Sequence, residues 1–339
     1  MTLPSTSVKR TYGSMDLCKI FMAIVVVFAH TRPLENCSNP IIQTIYSQVA
    51  HLSYPFFFLS SGYLLSAKLS SFSDVSQKIS ITAKSLFKTA KLYSFWSIVY
   101  LPLALYAYWR DKTPFMYSVA DYIRGFLFIG EHYNSWHLWY LLSTVYALIL
   151  VIILLRLQLN PKKWTIVVGF VSLLSIFMTE ISGNQEALPP LLHIIRLLIS
   201  NTTSGGRILQ GCIFIPVGIL MADKNLSIQK WVVLFAGSFL ANIFIDNAVV
   251  SKLLLISAGI SFFGIAIQIN LKNHSIYVIC RKLSTDVYLI HMYVWSFYCS
   301  LVYRAVHFGW DSFVVTAIVS LAVGLLHQHL DKKKKLLRK

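Results

Sequence analysis

The amino-acid sequence predicts an all-α polytopic membrane protein, a bundle of about ten transmembrane helices with both termini in the cytoplasm. Hydrophobic residues make up 56% of the chain and charged residues only 13%, and the mean hydropathy is +0.63. A soluble domain usually carries about twice that charged fraction. The apolar residues fall in blocks of roughly 16 to 22, the length that crosses a hydrocarbon core about 30 Å thick. Most blocks are apolar on all sides, unlike the one-sided helices of a soluble protein.

Ten of these blocks are long enough to be transmembrane helices. We predict spans at approximately 15–32, 46–67, 92–109, 137–156, 164–180, 207–222, 231–247, 251–270, 284–303 and 311–328. Residues 188–199 are apolar but too short to cross the bilayer, and we predict a surface or re-entrant helix there, on the external side. No stretch is long and polar enough to fold separately, so residues 1–339 are expected to form one integral membrane domain.

The distribution of lysine and arginine predicts the orientation. With the N-terminus in the cytoplasm, 21 of the 30 basic residues fall in inner segments and 8 in outer segments, and Lys19 lies inside the first span. Cytoplasmic loops of membrane proteins carry such an excess. An even number of spans then places the basic run 332–335 on the same side as Lys9 and Arg10. We therefore expect a multi-pass protein of the inner (cytoplasmic) membrane, in contact with the lipid bilayer.

Composition also argues against two other classes of function. The net charge of +17 is compatible with nucleic-acid binding. The basic residues lie between apolar blocks, however, where a membrane protein places them, so we expect no nucleic-acid partner. The five cysteines show no paired spacing and no CxxC, which predicts neither a disulfide framework nor a thiolate metal site. We expect no metal.

The first span carries three ionisable residues, Asp16, Lys19 and His30. Such groups are costly inside a bilayer and are usually functional. At about 100° per residue, the eleven-residue step from Lys19 to His30 returns to nearly the same helix face, with a rise of roughly 16 Å. Asp16 lies three residues before Lys19 and can pair with it. The alternative is that Asp16 and Lys19 are interfacial and that His30 caps the outer end of the helix.

Two other spans carry polar or aromatic residues in a pattern. In the ninth span, Ser284, Tyr288, His291 and Trp295 recur at helical spacing, which predicts one polar stripe facing the bundle or a cavity. The alternative is ordinary hydrogen bonding between helices. The fourth span opens with a cluster of aromatic residues and one histidine, which is more often an interfacial belt than a site. This cluster comprises Trp136, His137, Trp139 and Tyr140.

Lysines recur at helical spacing before the third predicted span, at Lys84, Lys88 and Lys91. They form one basic face at the predicted cytoplasmic surface. Such a face suits phosphate groups. The alternative is that these lysines only mark the inner side of the membrane or contact anionic lipid.

At these residues the chain resembles the membrane-bound acyltransferase 3 family, which is typical of bacteria. The first-span pattern of that family is Asp-x-x-Arg followed, after ten residues, by His, and this chain has Asp16, Lys19 and His30 at the same spacing. Four further motifs match in order: residues 55–65 (PFFFLSSGYLL) with Phe57, Phe58, Ser61, Gly62 and Tyr63; Lys88-x-x-Lys91; residues 137–141 (HLWYL); and Ser284, Tyr288, Leu289 and His291. Lysine replaces arginine at 19, 88 and 91, which keeps the charge but loses the bidentate fork.

The resemblance implies an O-acetyltransferase. Such an enzyme moves an acyl group, usually acetyl, from a cytoplasmic acyl-CoA to a hydroxyl on an external or lipid-linked sugar. It implies His30 as the catalytic base, with His291 and Tyr288 orienting groups or donating hydrogen bonds. The donor's phosphates are expected at four lysines, Lys19, Lys84, Lys88 and Lys91, and the substrate at Trp136, His137 and Ser61.

A transporter of a small polar solute or glycan is the alternative. Related membrane domains are associated with solute movement, such as the serine-transporting half of membrane-bound serine racemases. In that interpretation the same polar stripes line a pathway. Broken helices often mark a transporter's binding site, and Pro189–Pro190 and Gly205–Gly206 interrupt the chain near the short apolar segment.

Overall fold

The computed structural model describes residues 12–183, 189–222 and 226–337. Five residues that contribute to the predicted charge asymmetry lie outside these ranges: Lys9, Arg10, Lys224, Arg338 and Lys339. The described residues form thirteen α-helices with short 3₁₀ and π segments between them, and no strand, which confirms the all-α prediction. The helices are α1 (Gly13–Thr31), α2 (Pro40–His51), α3 (Ser53–Leu69), α4 (Val75–Arg110), α5 (Phe115–Arg124), α6 (Trp139–Arg156), α7 (Pro161–Gly183), α8 (Pro190–Thr203), α9 (Gln210–Met221), α10 (Ile228–Ala241), α11 (Ala248–Gln268), α12 (Ile276–Tyr298) and α13 (Trp310–Leu337).

Five described segments are long and apolar enough to cross a membrane. They are Gly13–Thr31, Trp136–Arg156, Pro161–Gly183, Ala248–Gln268 and Trp310–Lys334. A sixth is obtained when α8 and the segment Arg207–Met221, which meet at a bend of 54°, are counted as one span. These helices support a multi-pass membrane protein. The finer predictions of ten spans and of both termini inside stay predictions.

The predicted span 46–67 is interrupted, because two helices meet at Leu52. Pro55 follows in the first turn of α3. Its ring nitrogen has no hydrogen to donate to the carbonyl of His51, so a continuous helix would lose a hydrogen bond there. The Ser53 hydroxyl instead donates to the Ala50 carbonyl at 2.7 Å and helps to end α2. Proline in the first turn of a new helix costs little, which favours a restart at this point.

Several helices begin with a polar N-cap residue, which lies in the chain between two apolar blocks. The Asn39 side chain accepts from the backbone N–H groups of Ile41 and Ile42, at 3.0 and 3.2 Å, at the start of α2. Asp74 caps α4 in the same way, and its carboxylate also accepts from the Ser76 hydroxyl at 2.6 Å. This hydrogen bond from Ser76 holds the pKa of Asp74 below its ordinary value. Such caps satisfy N–H groups that the helix itself leaves unpaired.

Two glycines bring α3 and α9 into backbone contact. A Cβ atom on Gly62 would lie 2.1 Å from the carbonyl oxygen of Ile215, and one on Gly218 would lie 2.3 Å from that of Leu59. Any side chain at either position would force the two helices apart. Small residues commonly allow such close packing between membrane helices. Gly62 of the family-like SSGY sequence is therefore required by packing, and its neighbour Ser61 is held at a fixed place beside α6.

Candidate active site

Two histidines from different helices form a hydrogen-bonded pair. His30 lies in the last turn of α1, and its Nδ1 is 2.8 Å from Nε2 of His291 in the middle of α12. The two imidazole rings are nearly parallel, with an interplanar angle of 6° and centroids 5.1 Å apart. His291 is fully buried. The stripes predicted on the first and ninth spans therefore meet at this pair, which we call the histidine pair.

The partners of His291 determine which nitrogens carry protons. Its Nδ1 lies 2.8 Å from the carbonyl oxygen of Tyr288 and 3.1 Å from that of Val287. A carbonyl oxygen can only accept, so Nδ1 of His291 is the protonated nitrogen and Nε2 of the neutral ring is an acceptor. The hydrogen bond between the rings then requires His30 to donate from Nδ1. Nε2 of neutral His30 is left with a free lone pair, which is the state that a general base needs.

A third histidine lies beside the pair. The His137 ring centroid is 4.9 Å from that of His291, and the side chain is buried. Neither ring nitrogen of His137 has a hydrogen-bond partner of normal geometry, although the Leu289 carbonyl lies nearby. Buried polar groups are seldom left unpaired, so each exception calls for an explanation. Trp136 precedes His137 in a 3₁₀ turn that leads into α6, and its ring contacts the His30 ring edge-on.

A cavity of about 230 Å³ adjoins the histidine pair, and we call it the His30 cavity. His30, His137 and Tyr288 line one part of it, and Tyr54 and Arg207 line another. Arg207 forms an ion pair with Glu131, and its guanidinium lies 5.0 Å from the ring centre of Trp139. His30 thus has its free Nε2 on a side chain that lines this cavity.

A second cavity, of about 250 Å³, lies towards the beginning of α1, and we call it the Lys19 cavity. Its lining includes Lys19, Arg281, Ser61 and Ser284. Both cations face the carboxylate of Asp16, at 3.8 Å for Lys19 and 3.6 Å for Arg281. Two positive charges against one negative charge leave a net positive charge beside this cavity. The arrangement attracts an anion.

Three aromatic side chains separate the two cavities. Phe57, Tyr140 and Tyr288 line both of them. Their rings are in mutual contact, with centroids between 5.7 and 6.4 Å apart. The Tyr288 hydroxyl donates to the backbone carbonyl of His137, and the Tyr140 hydroxyl lies 3.3 Å from Oγ of Ser61. We call these three residues the aromatic partition. Because the two cavities share these three residues, they are neighbours.

A family model described as an acyltransferase domain, acyltransferase 3, matches residues 12–329, nearly the whole chain. The chain belongs to the acyltransferase 3 family. Within this acyltransferase, the first-span, SSGY, HLWYL and ninth-span motifs converge on the histidine pair, the two cavities and the aromatic partition.

The acyltransferase chain is also similar to two amino-acid racemases from Enterococcus faecalis. One is 31% identical over 150 residues, which cover 44% of this chain and 20% of the racemase. The other is 25% identical over 242 residues, covering 66% of this chain and 33% of the racemase. The similarity thus spans at most a third of the length of these relatives. No solved structure matches the chain.

The structure brings most of the predicted site residues together, but not all of them. Five lie at the histidine pair or in the His30 cavity: His30, His291, His137, Tyr288 and Trp136. Lys19 and Ser61 line the Lys19 cavity. The remaining three lysines are exposed on α4 and line neither cavity, whereas Thr89 and Leu92 of the same helix do line the Lys19 cavity. These lysines are Lys84, Lys88 and Lys91.

Two arginines at the site were counted from the sequence only as topology signals. Arg281 lies three residues before Ser284, so the helical spacing of α12 was sufficient to place it on the polar stripe. Arg207 follows Gly205 and Gly206, whose φ angles of 66° and 80° turn the chain between α8 and α9. No sequence pattern indicated that this turn lies beside His30.

Proposed function

We propose that the protein transfers an acetyl or other short acyl group from a cytoplasmic acyl-CoA to a hydroxyl of a cell-surface or lipid-linked sugar. The observation that carries the proposal is the 2.8 Å hydrogen bond between His30 and His291 in a ring pair next to the His30 cavity. Membership of the acyltransferase 3 family supports the reaction class. The proposed donor is acetyl-CoA, and the proposed acceptor is a glycan.

His30 is the proposed catalytic base. Its free Nε2 takes the proton of the acceptor hydroxyl while the hydroxyl oxygen attacks the thioester carbonyl carbon. The tetrahedral intermediate collapses to the ester as the carbon–sulfur bond breaks. The imidazolium of His30 then returns the proton to the departing CoA thiolate, so the base is regenerated. His291 acts through His30, because its acceptor nitrogen holds the His30 ring in the tautomer with a free Nε2.

His137 is the proposed donor to the oxyanion. A tetrahedral intermediate needs hydrogen-bond donors aimed at its oxygen. The Tyr288 hydroxyl is already engaged with the His137 carbonyl, whereas a neutral His137 ring carries one N–H, and neither ring nitrogen has a partner of normal geometry. Tyr288 then positions the backbone of His137 and forms part of the partition through which the thioester must reach His30.

The donor is proposed to enter through the Lys19 cavity. Lys19 and Arg281 outnumber their one carboxylate partner, Asp16, and so favour the anionic CoA molecule. Coenzyme A is long, and its nucleotide end extends towards the membrane surface when the thioester reaches the partition. The exposed lysines at 84, 88 and 91 then offer weaker contacts to the phosphates outside the cavity. Ser61 and Trp136 contact the bound substrates on either side of the partition.

Entry of the donor from the cytoplasm requires a cytoplasmic N-terminus in the inner membrane. The distribution of lysine and arginine supports this orientation. A single cysteine at position 76, introduced as Ser76→Cys in a cysteine-free background, tests it. We expect no reaction with an impermeant reagent added outside intact cells. Labelling of this cysteine from outside would contradict the predicted orientation.

The proposal is tested by incubating purified protein with acetyl-CoA and candidate glycans while free CoA is followed. We expect CoA release that depends on the acceptor and that His30→Ala abolishes. Release at the same rate with and without any acceptor would contradict the transfer reaction.

Transport of a polar solute is the second candidate. It is favoured by the two cavities that meet at the aromatic partition, as a gated pathway would. In that case solute crosses liposome membranes without acetyl-CoA, and the histidine pair is a lining element of the pathway.

A further inference from the structure

A third cavity, of about 250 Å³, opens beside the His30 cavity. The two share His51, Tyr54 and Arg207 in their linings, so they are neighbours on the same side of the aromatic partition. The rest of its lining comes from α7, from α9 and the turn before it, and from α11. Because of its lining, we call it the hydroxyl-lined cavity.

The side-chain hydroxyls of α7 leave acceptor oxygens in this cavity. Ser172 donates to the Val168 carbonyl at 2.8 Å, and Ser175 donates to that of Gly206 at 3.2 Å. Thr179 is engaged with the backbone carbonyls of Ser175 and Gly205, at 2.7 and 2.8 Å. A hydroxyl has one proton and two lone pairs. With each proton directed at the backbone, the oxygens can only accept from a molecule in the cavity.

Gln210 adds a second kind of acceptor. Its Nε2 donates to Oγ of Ser175 at 3.2 Å, which fixes the direction of the amide. Its Oε1 is shielded from solvent and has no hydrogen-bond partner. An unpaired buried acceptor is uncommon in native structures and calls for a donor. Gln210 lines the cavity, so a hydroxyl of a bound molecule can meet that need when the amide turns towards it.

The charged groups at the cavity are already neutralised. Lys252 lines the cavity and forms an ion pair with Glu180 across α7 and α11. Arg207, at the boundary with the His30 cavity, forms its ion pair with Glu131. Each of these two cations has a carboxylate of its own, whereas the two cations of the Lys19 cavity share Asp16. The lining therefore favours a neutral molecule that is rich in hydrogen-bond donors.

From this lining we infer that the hydroxyl-lined cavity binds a neutral sugar unit of the acceptor, next to the unit that is acylated in the His30 cavity. The inference rests on the proposed function for the identity of the reacting unit. Each cavity alone is smaller than the roughly 300 Å³ at which pockets enclose a drug-sized ligand, whereas the two together fall within that range. The acceptor is accordingly an oligosaccharide, and a single sugar fills only half of the site.

The test measures binding of methyl β-glucoside, cellobiose and cellotriose to purified full-length protein by equilibrium dialysis. We expect cellotriose to bind at least about fivefold more tightly than the single sugar, as one added hydrogen bond allows. Gln210→Leu removes the unpaired acceptor, and Ser172→Phe fills the cavity. Each is expected to weaken cellotriose binding about fivefold and to leave methyl β-glucoside within about twofold. Leu173→Phe, at a neighbouring position exposed on the outside of α7, is the matched control and should change neither.

The inference is overturned if the variants lose binding of short and long sugars equally, or if neither variant loses binding. It is also overturned if the wild-type protein shows no preference for the longer sugar. The dialysis requires no acyl transfer. Preference for cellotriose in a protein that releases no CoA with any sugar would therefore contradict the proposed reaction and leave the sugar site standing.

Discussion

The two ends of the α1 stripe hold their polar groups in opposite ways. At the His30 end, three imidazole rings are packed together. His30 donates to His291, which donates to a backbone carbonyl, and these hydrogen bonds specify one tautomer for each of the two rings. At the Lys19 end, two cations share one carboxylate and retain a net positive charge. The first arrangement is suited to moving a proton, and the second to holding an anion. Under the proposed function, this difference separates the chemistry at the His30 end from donor binding at the Lys19 end, with the aromatic partition between them.

The largest expected effect is at the His30 end. A positioned general base contributes about 10²–10⁴-fold to rate, so His30→Ala should lower turnover by that factor and leave acetyl-CoA binding within about twofold. His30→Gln keeps a hydrogen-bonding side chain but not the basicity and should be equally inactive. Turnover is measured as acceptor-dependent CoA release. A variant that retains more than about a tenth of wild-type turnover would remove His30 from the role of base.

An intermediate effect is expected at the Lys19 end. Lys19→Met keeps the length of the side chain and removes its charge, and the side chain is only 12% exposed. Losing one charge-assisted contact of about 1.5–3 kcal/mol should weaken acetyl-CoA binding about 10- to 100-fold. Lys88→Met is the matched control on the exposed face of α4, where a charge contact contributes about 0–1 kcal/mol and the loss should stay below about fivefold. Isothermal titration of both variants decides the comparison, and a reversed order of the two losses would move the donor site to α4.

The smallest effect is expected at His291, which is proposed to act through His30. His291→Leu removes the acceptor for Nδ1–H of His30 and should lower kcat about tenfold, as the loss of one buried hydrogen bond allows. His291→Gln offers an amide oxygen to the same N–H and should recover most of that loss. The pH profile of kcat separates positioning from packing, because only the leucine variant should change its shape. Equal activity and equal pH profiles in both variants would show that His291 serves packing alone.

The sequence was sufficient to predict the two stripes, because helical periodicity alone places Lys19 with His30 and Tyr288 with His291. It was not sufficient to predict that the stripes meet. That contact depends on how α1 packs against α12, a tertiary choice with no local signature. The position of Arg207 likewise follows from the turn between α8 and α9. The lysines of α4 share a helix face, as predicted, but periodicity does not reveal which face of a helix borders a cavity.

The number of membrane spans was also only partly predictable from the sequence. Hydropathy identifies apolar blocks, and six of these coincide with helices, or a bent helix pair, that meet both length and composition requirements. The block 46–67 contains a break that hydropathy does not register, although Pro55 marks it. The helix Ile228–Ala241 is apolar but short, at 14 residues. The length of a helix and its interruptions depend on capping and packing, about which hydropathy gives no information.

The central claim is that the Lys19 cavity and the His30 cavity form one reaction path through the partition. The most direct test supplies acetyl-CoA labelled in its acetyl group on one side of a proteoliposome membrane and an oligosaccharide on the other. We expect labelled acetyl ester on the oligosaccharide and free CoA on the donor side, and neither product with His30→Ala. Oligosaccharide that crosses the membrane unacetylated at the same rate with and without acetyl-CoA would contradict it and establish a transporter instead.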